Sequence, residues 1–122
     1  MAAALDWYLK IDDLHGDADA HGFQHWFDVA DWRIEKGFLK VGPSERQEVT
    51  IFMVTGPARA LLASAIQTRR KFIQAKLQGF SYRMGGEYHP FVDLRVLSIK
   101  PAGHHRNMKP LEAVTFEANS PG

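Results

Sequence analysis

One stretch of this chain has helical spacing, and strands flank it on both sides. That arrangement constrains the fold more than any other feature of the 122 residues. Val49, Ile51 and Met53 alternate with Thr50, Phe52 and Val54, the period of two expected of a strand with a buried face. The alternation stops at Thr55-Gly56-Pro57, where proline suits the first turn of a helix because its missing N–H would have no partner there. Ala58, Leu61, Leu62, Ala65 and Ile66 then recur at helical spacing, with Arg59, Ser64, Gln67 and Thr68 on the other side. Arg69, Arg70 and Lys71 are read as closing the helix, where they complement its dipole. From Phe72 to Phe80 the period returns to two. The reading is one helix set against a sheet made by everything else.

The remaining segments alternate too. Leu5, Trp7, Leu9 and Ile11 share one face of a first strand, with Asp6, Tyr8, Lys10 and Asp12 on the other. An acidic loop follows from Asp13 to Gly22. A second strand is predicted from His25 to Glu35, with Trp26, Ala30, Trp32 and Ile34 as its more apolar parity and Asp31, Arg33 and Glu35 on a strongly polar one. Lys36 to Arg46 is a connecting loop. Met84-Gly85-Gly86-Glu87 reads as a turn between two strands, Phe91–Ile99 as a strand, Pro101–Pro110 as a polar loop and Leu111–Ala118 as a closing strand. Six strands and one helix predict a single domain spanning residues 1–122, mainly β: an antiparallel barrel or two-sheet sandwich with one flanking α-helix. The connection through the helix is also long enough to permit a parallel pairing of its flanking strands.

Composition removes several classes of function. A net charge of +1 gives no steer toward nucleic acid or an anionic membrane. The absence of cysteine removes disulfides and thiolate chemistry. No run approaches the roughly 18 uninterrupted apolar residues of a membrane span. Met1-Ala2-Ala3-Ala4-Leu5 has no basic region and is interrupted at Asp6, so no cleaved leader is expected.

Motifs for catalysis are lacking. Asp17-Ala18-Asp19-Ala20-His21-Gly22, with Asp28 beyond, has a passing likeness to a calcium loop. His21 stands at an oxygen-ligand position, however, and the flanks read as strands, so a solvated loop with Asx-type turns is the expectation. His15, His21, His25, His89, His104 and His105 follow no metal-ligand spacing. No nucleophile elbow, phosphate-binding glycine loop or zinc-hydrolase motif is present. The expectation is no catalytic residue, no metal and no cofactor. What does ask for a partner is the outward parity of the strands: Tyr8 and Lys10, and Gln74, Lys76 and Gln78 between Phe72 and Phe80, are candidates for contacts between copies of the chain.

The order of these segments resembles the haemolysin-coregulated protein (Hcp) family, the tube subunits of bacterial type VI secretion systems. The resemblance rests on Tyr8-Leu9-Lys10-Ile11-Asp12-Asp13-Leu14-His15-Gly16-Asp17, on Trp26-Phe27-Asp28-Val29 leading to Trp32, on the helix Pro57–Ala65 followed by Ala75-Lys76-Leu77, and on Leu111–Glu117. It implies a non-enzymatic β-barrel that assembles as a homo-hexameric ring. Rings would stack into a tube inside a sheath, beneath a VgrG-type spike, with effector proteins in the lumen. The protein would be assembled in the cytoplasm and then secreted. In that family the strand carrying the Trp lines the lumen, which implies that Asp31, Arg33 and Glu35 face the channel. The family's extended loop docks on the adjacent ring. Lys36–Arg46 is shorter but contains the corresponding stacking candidates Phe38, Leu39, Lys40 and Val41. The alternatives are a phage-type tail-tube subunit and a small β-barrel binding module or metal-dependent hydrolase with a pocket joining His21, His25 and Asp17 or Asp19.

Overall fold

The computed structural model describes residues 5–36, 46–81, 85–105 and 108–119. Six strands, β1 (Asp6–Ile11), β2 (Phe27–Lys36), β3 (Arg46–Met53), β4 (Lys71–Ser81), β5 (Gly85–His104) and β6 (Pro110–Asn119), close into a barrel in the order β1-β2-β3-β6-β5-β4. Every pairing is antiparallel, including the β1–β4 pair that closes the circle. The strands on either side of the helix, β3 and β4, are not neighbours, so the parallel pairing does not occur. Closure gives every described strand a neighbour on each side, which reduces the usual template for uncontrolled strand addition.

Alternation explains most of the interior. Leu9 and Ile11 of β1, Val49, Ile51 and Met53 of β3, Leu77 of β4 and Val114, Phe116 and Ala118 of β6 all turn inward and are buried. The helix is a 3-10 turn, Gly56–Ala58 with Pro57 in its first positions, running into α1 (Arg59–Thr68). Leu62 and Ala65 of α1 join the barrel core. Leu61, at the same helical spacing in the sequence, is 51% exposed.

The helix ends at Arg69 in a left-handed conformation (φ 55°, ψ 34°), and the N–H groups of Arg69 and Arg70 both donate to the Ala65 carbonyl. The three cations therefore lie beyond the helix. Lys71 already belongs to β4, while Arg70 lies over the Phe72 ring, 4.7 Å from its centroid, and pairs with Asp13 at 3.4 Å.

Departures from strict alternation have local causes. In β2 the pairing with β3 slips between Val29 and Asp31. Phe27 and Val29 point inward before this bulge, Trp32 and Ile34 after it, and Ala30 is exposed. The expected apolar parity of Trp26, Ala30, Trp32 and Ile34 thus holds only beyond the bulge, because one extra residue exchanges the two faces. Two slips in β5, between Val92 and Arg95 and between Val96 and Ser98, have the same effect. They bring Phe91, Leu94, Val96 and Ile99 to the core, which accounts for apolar residues on both parities. β5 also runs longer than expected, taking in Gly85-Gly86 before it and Pro101–His104 after it. At the start of β4, Phe72 is buried and Ile73 is 70% exposed. Phe72 therefore does not share the outward parity of Gln74 and Lys76.

A second, smaller core lies on the outside of the barrel. The segment between β1 and β2 folds back over the outward faces of β1 and β4, placing Phe23 against Tyr8 (ring centroids 4.3 Å, stacked), Trp26 (5.1 Å) and Phe80 (6.1 Å). Backbone bonds from Gly16 to the His25 carbonyl and from Ala18 to the Trp26 carbonyl hold it shut. Gly16 is required there: a Cβ at this position would stand 2.3 Å from the Trp26 carbonyl oxygen.

Candidate assembly faces and an end cleft

β2 and β3 present a polar outward face. Asp31 and Arg33 are both exposed on β2 beyond the bulge. The Asp31 carboxylate accepts the Trp32 backbone N–H at 2.8 Å, and the Arg33 guanidinium lies over the Phe52 ring of β3, 5.9 Å from its centroid. Glu35 is in register with Glu48, and Glu48 with Glu117 of β6. The face continues through the Thr50–Thr115 hydroxyl contact at 3.1 Å and the Arg95–Glu117 ion pair, also at 3.1 Å. Asp31 and Arg33 are thus part of a polar outward face extending over β2, β3, β6 and β5.

The candidates on β1 and β4 lie on a different face. Lys10 and Lys76 are direct cross-strand partners, and Gln78 pairs with Tyr8. Gln74 and Lys76 are exposed and Gln78 half-buried, but Tyr8 is only 9% exposed beneath Phe23. Tyr8, a candidate for contacts between copies, lies on the outward face of its strand and is covered there by the segment between β1 and β2. Phe38, Leu39, Lys40 and Val41 lie outside the described residues.

The histidines do not gather. His15 and His25 meet edge to face with ring centroids 5.6 Å apart, and His21 is exposed. Among the described residues no group of three His, Asp or Glu side chains is placed to hold a metal ion. His89 instead joins an aromatic group inside the barrel, 4.7 Å from Trp32 and 6.1 Å from Trp7 between ring centroids. Trp7 itself passes over Gly79, where a Cβ would come within 2.9 Å of the indole. The His89 Nε2 is buried, 3.5 Å from the Glu87 carboxylate, and makes no hydrogen bond.

Sequence reasoning missed a cleft of about 770 Å³ at the helix end of the barrel. β1, β3 and β5 finish at this end, and β2, β4 and β6 begin there. Asp17 reaches the cleft from the first link, Val54, Thr55, Gly56 and Arg59 from the second, and Gly103, His104, Lys109, Pro110, Leu111 and Glu112 from the third and its flanking strands. Its anchor is Glu112, 9% exposed, whose Oε1 accepts the Thr55 hydroxyl at 2.5 Å and whose Oε2 accepts Arg59 Nε–H at 2.9 Å. One signal in the sequence marks this residue. Glu112 stands on the same parity as Val114, Phe116 and Ala118, a carboxylate on the core side of a strand.

The architecture defines a class: small closed antiparallel barrels with one helix in a crossover between non-adjacent strands. Among solved structures, the fold is that of the Hcp proteins. Hcp1 from Salmonella typhimurium superimposes with a TM-score of 0.74 at 21% identity, covering 93% of this chain and 81% of that one. A type six secretion system protein gives 0.74 at 19% identity, covering 93% and 78%. The secreted protein Hcp3 from Pseudomonas aeruginosa gives 0.63 at 20% identity, covering 93% and 85%. No family model and no curated protein sequence matches the chain.

Proposed function

We propose that this chain is a non-enzymatic tube subunit of a type VI secretion system. Six copies form a ring, rings stack beneath a VgrG-type spike inside a sheath, and effectors travel in the lumen until the tube is expelled from the cell. The observation that carries this reading is the fold, shared over 93% of the chain with a structure described as a type six secretion system protein. The surface chemistry supports it. The polar face containing Asp31 and Arg33 suits a water-filled bore, and Glu35 of the same strand is proposed with them as lining. Lys10, Gln74, Lys76 and Gln78, on a different face, suit contacts between neighbouring subunits. Such a face meeting a second, dissimilar face of the next copy, head to tail around a closed rotation, generates a ring. No helix among the described residues is long and apolar enough to cross a membrane.

Light scattering coupled to size exclusion, with negative-stain microscopy of the same fractions, tests the proposal. Six-membered rings with an open centre are expected. A monomer persisting at high concentration would overturn it. Arg33→Glu is expected to leave the rings intact and change the retention of charged effectors. Loss of the ring in that variant would place Arg33 at a subunit contact.

A further inference from the structure

Tube assembly as proposed above makes no use of the cleft at the helix end. We propose that this cleft binds a small amphipathic carboxylate, an acid group joined to an apolar body. Its volume of about 770 Å³ falls in the range of sites that enclose small molecules. Val54, Pro101, Pro110 and Leu111 supply apolar wall, and Arg59 supplies the polar end. The guanidinium is held in place from behind. Its Nε–H donates to Glu112, and Glu112 is itself fixed by the Thr55 hydroxyl and buried.

A guanidinium carries five N–H donors in a planar fork, and Glu112 engages only the one on Nε. Both Nη groups remain for a second carboxylate, in a plane already set by the first, while the Arg59 side chain stays 55% exposed. The other charges of the lining are Lys109 and Asp17, the latter with its carboxylate packed against Gly56 at the first helical turn. Arg59 and Lys109 balance Glu112 and Asp17 in formal charge. Selectivity therefore comes from the local fork and not from a net field, and it should depend on hydrogen-bonding geometry more than on ionic strength.

Calorimetric titration of the full chain with octanoate, 1-octanol and octylammonium tests this. Octanoate is expected to bind about tenfold more tightly than octanol, the discrimination of one charge-assisted hydrogen-bonded pair. Octylammonium is expected to bind no better than octanol. Amide shifts on adding octanoate should centre on Gly103, Leu111 and Glu112, a readout needing no variant. Arg59→Gln should abolish the preference for octanoate over octanol while leaving octanol binding in place. Equal affinity for octanoate and octanol, a preference for octylammonium, no binding of any of the three, or shifts centred elsewhere would overturn the proposal.

Discussion

Glu112 stands in line with Val114, Phe116 and Ala118 on the inward parity of β6, where a carboxylate is costly unless its oxygens are satisfied. Here each oxygen has a partner: Thr55, just after β3, and Arg59, the first residue of α1. The carboxylate therefore pins the start of the helix to the barrel. Glu112→Ala leaves the Thr55 hydroxyl and the Arg59 guanidinium without it and is expected to lower stability by about 1–3 kcal/mol, read from urea denaturation. Glu112→Gln, which can still accept one bond, should lose less. Gly16 is a steric requirement of a different kind. A methyl group at this position would meet backbone, the Trp26 carbonyl, and no flexible side-chain end could swing aside. Gly16→Ala is expected to cost about 1–3 kcal/mol by the same measurement, the typical penalty for overpacking.

Periodicity locates the elements but does not by itself say which of two adjacent apolar residues is buried. Leu61 and Leu62 both satisfy the helical pattern, and only packing against the barrel separates them. Leu62, fully buried, is expected to lose about 2–5 kcal/mol on replacement by Ala. Leu61→Ala, at an exposed site, should stay within about 0.5 kcal/mol. The two thermal or urea transitions give the comparison directly. The strands teach the same lesson through their bulges. Alternation puts Asp31 and Arg33 on a polar face, and they are exposed. Alternation also puts Ala30 and Trp26 on the apolar parity with Trp32, yet Ala30 is exposed and Trp26 sits in the outer cluster before the strand begins. A single unpaired residue between Val29 and Asp31 exchanges the faces, and nothing in the composition of that stretch announces it.

At the scale of the molecule, the barrel presents faces of different chemistry to its surroundings. On β1 and β4, Lys10 and Lys76 stand directly opposite one another, an arrangement that is mildly unfavourable in an isolated subunit. Lys76→Glu should convert repulsion into attraction and raise the stability of the single subunit by roughly 0.2–1 kcal/mol. If this face is a subunit contact, the same change should lower the fraction of rings seen by light scattering. A stabilised subunit with an undiminished ring would move the contact elsewhere.

The alternation of apolar side chains was enough to predict six strands, and the lone 3.6-residue period one helix, because each pattern is local and depends only on which way successive side chains point. From those patterns the mainly β, antiparallel class followed. The order of strands around the barrel, the slips within β2 and β5, the loop laid over Tyr8 and the cleft built from three separate links were decided by contacts between residues far apart in the chain. Glu112 joins the two: its inward position was legible as a carboxylate among core residues, whereas its partners Thr55 and Arg59 lie more than fifty positions away and were identified only when the barrel closed.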